Sequence, residues 1–176
     1  FTHAFFKAML FMGAGGVIMA LHHEQNIFKI AQHRASLPII ATTFLIGVIA
    51  ISGIPPFSGF FSKDAILAAA FQEGHYLIYG IALFTAFLTA FYMFRLYFVV
   101  FVTPNHHKKE YVYTSKTITF PLVVLAVGAV TAGFLNLPSI FGGTHMVDTW
   151  LGSLNSKTIT LSHSTEYILM ALSVLV

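Results

Sequence analysis

A long apolar run from Leu37 to Phe71 is interrupted at its middle by Ile54-Pro55-Pro56-Phe57-Ser58-Gly59, and this interruption limits the possible folds more than any other feature. Drawn as one helix, these 35 residues would extend about 52 Å at 1.5 Å per residue. The hydrocarbon core of a bilayer is only about 30 Å thick. Two adjacent prolines also remove backbone donors and crowd the preceding turn, so the helix must break. The predicted arrangement is a discontinuous membrane helix: Leu37–Gly53, an unwound link, then Phe60–Phe71. Freed backbone is tolerated at membrane depth only where protein or a wet cavity surrounds it. Directly after the break come Lys63 and Asp64, opposite charges within apolar sequence. A plain proline kink would account for Pro55 and Pro56 alone. The charged pair favours an ion-handling site, as discontinuous helices provide in transporters.

Composition supports the membrane reading. Charged side chains are 9% of the 176 residues and hydrophobic ones 57%, against about one quarter charged in soluble domains. A formal charge of +3 is too small and too scattered for nucleic-acid binding. With no cysteine, the chain forms no disulfide and ligates neither an iron–sulfur cluster nor a zinc–thiolate site. No cofactor and no metal is assigned to it. It opens at Phe1 directly into apolar sequence, without a basic leader, and ends equally abruptly. It therefore reads as a piece of a longer polypeptide.

Further spans follow from the apolar runs. Phe1–Leu21 carries only His3 and Lys7 as ionisable interruptions, four residues apart and hence on one helix face. Gly13, Gly15 and Gly16 give this helix a thin side for close packing. Lys7 near a membrane surface would snorkel; placed deeper, an intramembrane lysine is a functional candidate. The loop from His22 to Ser36 contains His22-His23-Glu24, which lacks the second histidine of a helical zinc motif and reads as polar surface. Its Ile27-Phe28 pair suits the membrane surface. Tyr76–Val102 is long enough to cross with tilt, with Tyr76, Tyr79, Tyr92 and Tyr97 as interfacial belts and Arg95 in a structural role first and a pathway role second. Thr117–Asn136 forms the next span, with Pro121 in its first turn. Leu137 to Thr165 reads as an extramembrane loop with a short surface helix around Met146–Leu151. Glu166–Val176 begins another helix. The expected fold is all-α: a polytopic membrane helix bundle with one discontinuous helix, about four spans and the start of a fifth.

Basic residues orient the bundle. The loops 22–36 and 103–116 share one side and hold Lys29, Arg34, Lys108, Lys109 and Lys116, whereas the other side has only Lys157. The positive-inside rule makes those two loops cytoplasmic. The half-helix bearing Lys63 then lies toward the opposite, exit side.

Three stretches together carry a resemblance: His3-Ala4-Phe5-Phe6-Lys7-Ala8-Met9-Leu10-Phe11, His22-His23-Glu24-Gln25-Asn26-Ile27-Phe28-Lys29, and Gly53-Ile54-Pro55-Pro56-Phe57-Ser58-Gly59-Phe60-Phe61-Ser62-Lys63-Asp64. They resemble the antiporter-like subunit L family of proton-translocating NADH:quinone oxidoreductase (complex I). The first and third are shared with multisubunit cation/proton antiporters and membrane-bound hydrogenases; the second points to subunit L. The likeness is strong to about Phe101 and weak beyond it. It implies that residues 1–102 are the last three helices of the second of two inverted five-helix repeats, and that 103–176 are additional membrane helices and loops. It also implies a proton relay in which Lys7 is the central-axis lysine, His3 its neighbour, and Lys63 the broken-helix lysine near the exit, with Asp64 beside it. Many relatives carry an acidic residue after that aspartate; Ala65 stands here, so no second carboxylate is assumed. The implied setting is the cell inner (plasma) membrane, crossed several times, with other membrane-arm subunits, lipid and protons as partners.

The chemistry such a relay needs is general. Burial disfavours the charged form of a lysine and a nearby carboxylate favours it, so a lysine between the two can give and take a proton. In this reading Lys7 passes a proton through His3 and water to Lys63, which releases it. Two rivals stand beside it: a sodium/proton antiporter or hydrogenase subunit of the same fold, and a structural scaffold with its lysines in fixed ion pairs. Intramembrane charge is costly and seldom kept without use, which ranks the scaffold last.

Overall fold

The computed structural model describes residues 2–31, 37–102, 114–135 and 163–175. The expected surface helix around Met146–Leu151, and most of the 103–116 loop, lie outside them. Among the described residues the helices are α1 (Thr2–Ala20), α2 (Ile27–Ile30), α3 (Pro38–Ser52), α4 (Ser58–Gln72), α5 (Tyr76–Tyr97), α6 (Lys116–Thr131) and α7 (His163–Leu175). A π-helical segment, Phe98–Val102, extends α5, and a 3-10 turn, Ala132–Leu135, extends α6. Three of these units are long and apolar enough to cross a membrane: Thr2–Ala20, Tyr76–Val102 and Lys116–Phe134. The discontinuous helix is present as α3 and α4, each of 15 residues. Each is about 22 Å long, too short to cross alone. The molecule is a membrane helix bundle.

The core lies where α1, α3 and α6 pack on one another; α5 packs on α3 and α4, and α7 lies against α4. Phe6, Met9, Leu10 and Val17 of α1 face Ile40, Phe44 and Val48 of α3 and Leu122 and Ala126 of α6. Small residues set the spacing. A Cβ added at Gly13 would lie 3.1 Å from Phe44, and one at Gly16 would lie 3.1 Å from both Ile118 and Ile40. Gly15, expected on the same thin side, faces open space instead. One residue along a helix rotates a position by about 100°, enough to carry it out of the seam.

Other side chains depart from the sequence expectation. Tyr76 and Tyr79 both pack edge-on against Phe71 of α4, at 5.2 and 5.6 Å between centroids, but Tyr76 and Tyr92 are exposed whereas Tyr79 is half-buried. Pro121 sits in the second turn of α6, because Ser115 caps the helix one residue earlier than expected, its Oγ accepting from the Thr117 N–H at 3.3 Å. Outward α5 residues are large and apolar, with Leu77 78% exposed and Phe84 and Phe91 similarly bare. Such a face suits lipid or another apolar helix. Arg95 stands on it among Phe87, Phe91, Phe94 and Phe98.

The turn after α1 closes tightly. His22 and His23 are exposed and adopt positive φ (53° and 66°), and Asn26 caps α2 by accepting from the Phe28 N–H at 3.0 Å. Glu24 Oε1 accepts from the Gln25 and Asn26 N–H groups, and Oε2 pairs with Lys29 Nζ at 3.2 Å. The Asn26 backbone N–H, with Lys29 beside it, holds the Glu24 carboxyl below its ordinary value.

Candidate proton-handling site at the helix break

Helix α3 ends because Gly53 turns left-handed, with φ +77°, so that its N–H and that of Ile54 close on Ala50 and Ile49 carbonyls. This conformation costs other residues about 1–2 kcal/mol. Ile54 to Phe57 then form the unwound link, with Pro55 and Pro56 exposed. Helix α4 starts at Ser58, and its Gly59 lies directly on the last turn of α3: a Cβ there would overlap the Ala50 carbonyl oxygen. Two half-helix ends of opposite dipole sign are thereby held together inside the bundle.

Lys63 spans this junction. Its side chain lies along Gly53, where a Cβ would come within 2.8 Å of Lys63 Cδ, and its Nζ donates to the Ser52 carbonyl at 3.2 Å. That carbonyl is one of the acceptors a helix C-terminus leaves without an intrahelical partner, and the partial negative charge there favours a cation. Lys63 is half-buried. On either side of the link, the Ser52 and Ser58 hydroxyls are buried and have no hydrogen-bond partner within the structure. A buried hydroxyl left unpaired costs about 1–3 kcal/mol. The break therefore combines an ammonium group, a free-ended carbonyl and two hydroxyls with unused hydrogen-bonding capacity, the setting in which internal water is held.

Asp64, the neighbour of Lys63 in sequence, points elsewhere. It is 4% exposed, and its Oδ1 accepts from the Ser173 hydroxyl of α7 at 3.2 Å. The two charged groups thus serve different contacts, one at the α3–α4 break and the other at the α4–α7 seam. Consecutive helix positions differ by about 100°, so the two residues make different hydrogen bonds while Asp64 stays within electrostatic reach of Lys63.

His3 and Lys7 share a face, as their spacing requires, but both are exposed. Lys7 Nζ lies 5.9 Å from the Phe11 ring centroid, one turn further on, and His3 lies against Phe6 at 5.2 Å between rings. Phe6 itself is buried and would approach a Cβ at Gly59 to 3.5 Å. Helix α1 so presents Phe6 to the break and Lys7 away from the α3–α6 core. A second link joins α1 to α4: Thr2 Oγ1 donates to Ser62 Oγ at 2.9 Å, and Ser62 reaches back to the Ser58 and Gly59 carbonyls at 3.3 Å.

Thr2, Ser52, Ser58, Ser62 and Ser173 carry these contacts and were not singled out from the sequence. For Ser173 a signal was available: it lies three and four residues after Met170 and Leu169, a hydroxyl on the buried stripe of an otherwise apolar helix.

Comparison with known proteins identifies the family. Residues 1–89 match the family described as NADH:quinone oxidoreductase/Mrp antiporter, transmembrane. The chain is 44% identical over 146 residues to NADH-quinone oxidoreductase subunit L of Escherichia coli (strain K12), covering 80% of this chain and 23% of that protein. It is 42% identical over 170 residues to subunit L of Mycobacterium tuberculosis (strain ATCC 25618 / H37Rv), covering 91% and 26%. Against NAD(P)H-quinone oxidoreductase chain 5 of Picosynechococcus sp. (strain ATCC 27264 / PCC 7002 / PR-6) it is 41% identical over 167 residues, covering 78% and 25%. The likeness extends beyond Phe101, since 91% of the chain aligns with the mycobacterial subunit. The chain spans about a quarter of the length of these relatives. With apolar helices of spanning length, the family match and identity to subunit L over most of its residues, the chain is an integral membrane protein belonging to the NADH:quinone oxidoreductase/Mrp antiporter transmembrane family.

Proposed function

We propose that this chain is part of a proton-translocating membrane-arm subunit of a NADH:quinone oxidoreductase, driven by redox chemistry carried on other subunits. The observation that carries this reading is Lys63 Nζ lying on the Ser52 carbonyl at the break between α3 and α4. An ammonium group there is stabilised by the end of the α3 dipole and opposed by burial. Small electrostatic changes nearby then decide whether it holds or releases its proton. The unpartnered Ser52 and Ser58 hydroxyls flank the same break and supply positions for water to accept that proton. Asp64 is a second station on the same helix. His3 and Lys7 lie on an exposed face of α1 that α3 and α6 leave open, and are the central-axis stations that precede Lys63 in the relay. Neighbouring membrane-arm subunits, lipid and protons are the partners, and no cofactor or metal is assigned to this chain. In a bacterial plasma membrane, loops 22–36 and 103–116 face the cytoplasm.

The test is Lys63→Met and Lys7→Met in the full-length subunit of the intact assembly, reconstituted in vesicles. Quinone reduction and assembly are expected to persist while the proton-to-electron ratio drops. An unchanged ratio in both variants refutes the relay.

A further inference from the structure

Asp64 has a contact that the relay does not explain. Ser173 Oγ lies 3.2 Å from Asp64 Oδ1 and 2.9 Å from the Met170 carbonyl of its own helix. A hydroxyl has one proton to donate and lone pairs to accept with, whereas an ionised carboxylate only accepts. With Asp64 ionised, Ser173 donates to Oδ1. With Asp64 neutral, the carboxyl O–H donates to Ser173 Oγ, and the serine proton turns to the Met170 carbonyl. Both arrangements leave Ser173 and the Asp64 carboxyl hydrogen-bonded, although the two residues are each only 4% exposed. A fixed donor in this position could serve the carbonyl oxygen of either form but would offer no acceptor to the O–H of the neutral one.

We propose that Ser173 is a positioning residue for Asp64, a two-position hydroxyl that lets this buried carboxyl gain and lose a proton while α7 stays docked on α4. The inference rests on the reading of Asp64 as a proton-carrying station. No bond to Ser173 is made or broken: the proton arrives on and leaves the carboxyl, and the hydroxyl only rotates. Lys63 on the same helix and Tyr79 of α5 are ionisable groups within electrostatic reach of Asp64. The Tyr79 hydroxyl is buried without a hydrogen-bond partner, so this side of α4 is closed as well as polar. The role would make α7, which follows the family-matched residues 1–89, part of the proton-handling unit.

The experiment uses the full-length subunit in the intact assembly, with redox-triggered infrared difference spectra and the proton-to-electron ratio as readouts. The Asp64 carboxyl band is the one that Asp64→Asn removes. Ser173→Ala is expected to move that band to higher frequency, as for a carboxyl that has lost one hydrogen-bond acceptor, and to lower pumping several-fold. Ser173→Thr, which keeps the hydroxyl, is expected to restore both. Should Ser173→Ala fail to assemble, Ser173→Cys, close in volume with a weaker donor, is read in its place. A wild-type band position and wild-type pumping in the variant read overturn the proposal. So does the absence of any band removed by Asp64→Asn. An unchanged ratio in Asp64→Asn defeats the reading of Asp64 as a station, and the proposal with it, whereas a lowered ratio there with Ser173→Ala intact defeats only the role of Ser173.

Discussion

Substituting alanine at Gly53 separates backbone strain from the placement of Lys63, because the chain contains its own control. Gly53 and Gly74 both adopt φ +77°. The left-handed conformation costs a residue with a Cβ about 1–2 kcal/mol, a factor of roughly 5 to 30 in an equilibrium. Gly53→Ala and Gly74→Ala thus carry the same strain. They differ in what the new methyl meets: nothing within 4 Å at Gly74, but Lys63 Cδ at 2.8 Å and Nζ at 3.3 Å at Gly53. The long lysine side chain relieves that overlap by swinging away, which removes its Nζ from the Ser52 carbonyl. A hydrogen bond from a charged group contributes about 1.5–3 kcal/mol. Gly53→Ala should therefore exceed Gly74→Ala by about that amount, and the excess should fall on proton handling. In the full-length subunit of the intact assembly, both variants are expected to lower the midpoint of heat inactivation. Only Gly53→Ala should also reduce the proton-to-electron ratio measured in vesicles. Equal ratios in the two variants would show that the position of Lys63 over Gly53 is irrelevant to the reaction.

Two further outcomes are expected. Ser52→Ala and Ser58→Ala remove buried hydroxyls that pair with nothing in the protein, so assembly should survive while proton flux declines several-fold; unaltered flux would take water at the break out of the path. The Glu24 carboxyl, held below its ordinary value by the Asn26 N–H and Lys29, stabilises the turn after α1 when ionised. That contribution is complete above the ordinary carboxylate value and is lost as the pH falls through the lowered folded value. Limited proteolysis at residues 22–31 should accelerate over that acidic window, and Glu24→Gln should show the fast rate already at neutral pH. A wild-type rate at neutral pH in that variant would assign the turn's order to Asn26 alone.

The discontinuous helix was legible in the sequence because its cause is local. Pro55 and Pro56 have no amide to donate and Gly53 accepts a left-handed turn, so the break follows wherever the remaining chain packs. The expected half-helices, Leu37–Gly53 and Phe60–Phe71, lie within two residues of α3 and α4 at every end. The shared face of His3 and Lys7 was legible for the same reason, since helical periodicity alone places them together. The apolar runs likewise defined the spans.

What the tertiary structure decided are the directions of charged and hydroxyl groups, because a polar atom's partner depends on which element arrives beside it. Lys63 and Asp64 read as a pair in sequence. In the fold, the docking of α4 on α3 sends the first to the Ser52 carbonyl, and the arrival of α7, 109 residues later, draws the second to Ser173. Gly15 and Gly16 are indistinguishable as residues, yet only Gly16 meets Ile40 and Ile118. Local rules set where the helix must part, while the acceptor each buried proton finds there is settled by segments distant in the chain, through contacts that no periodicity encodes.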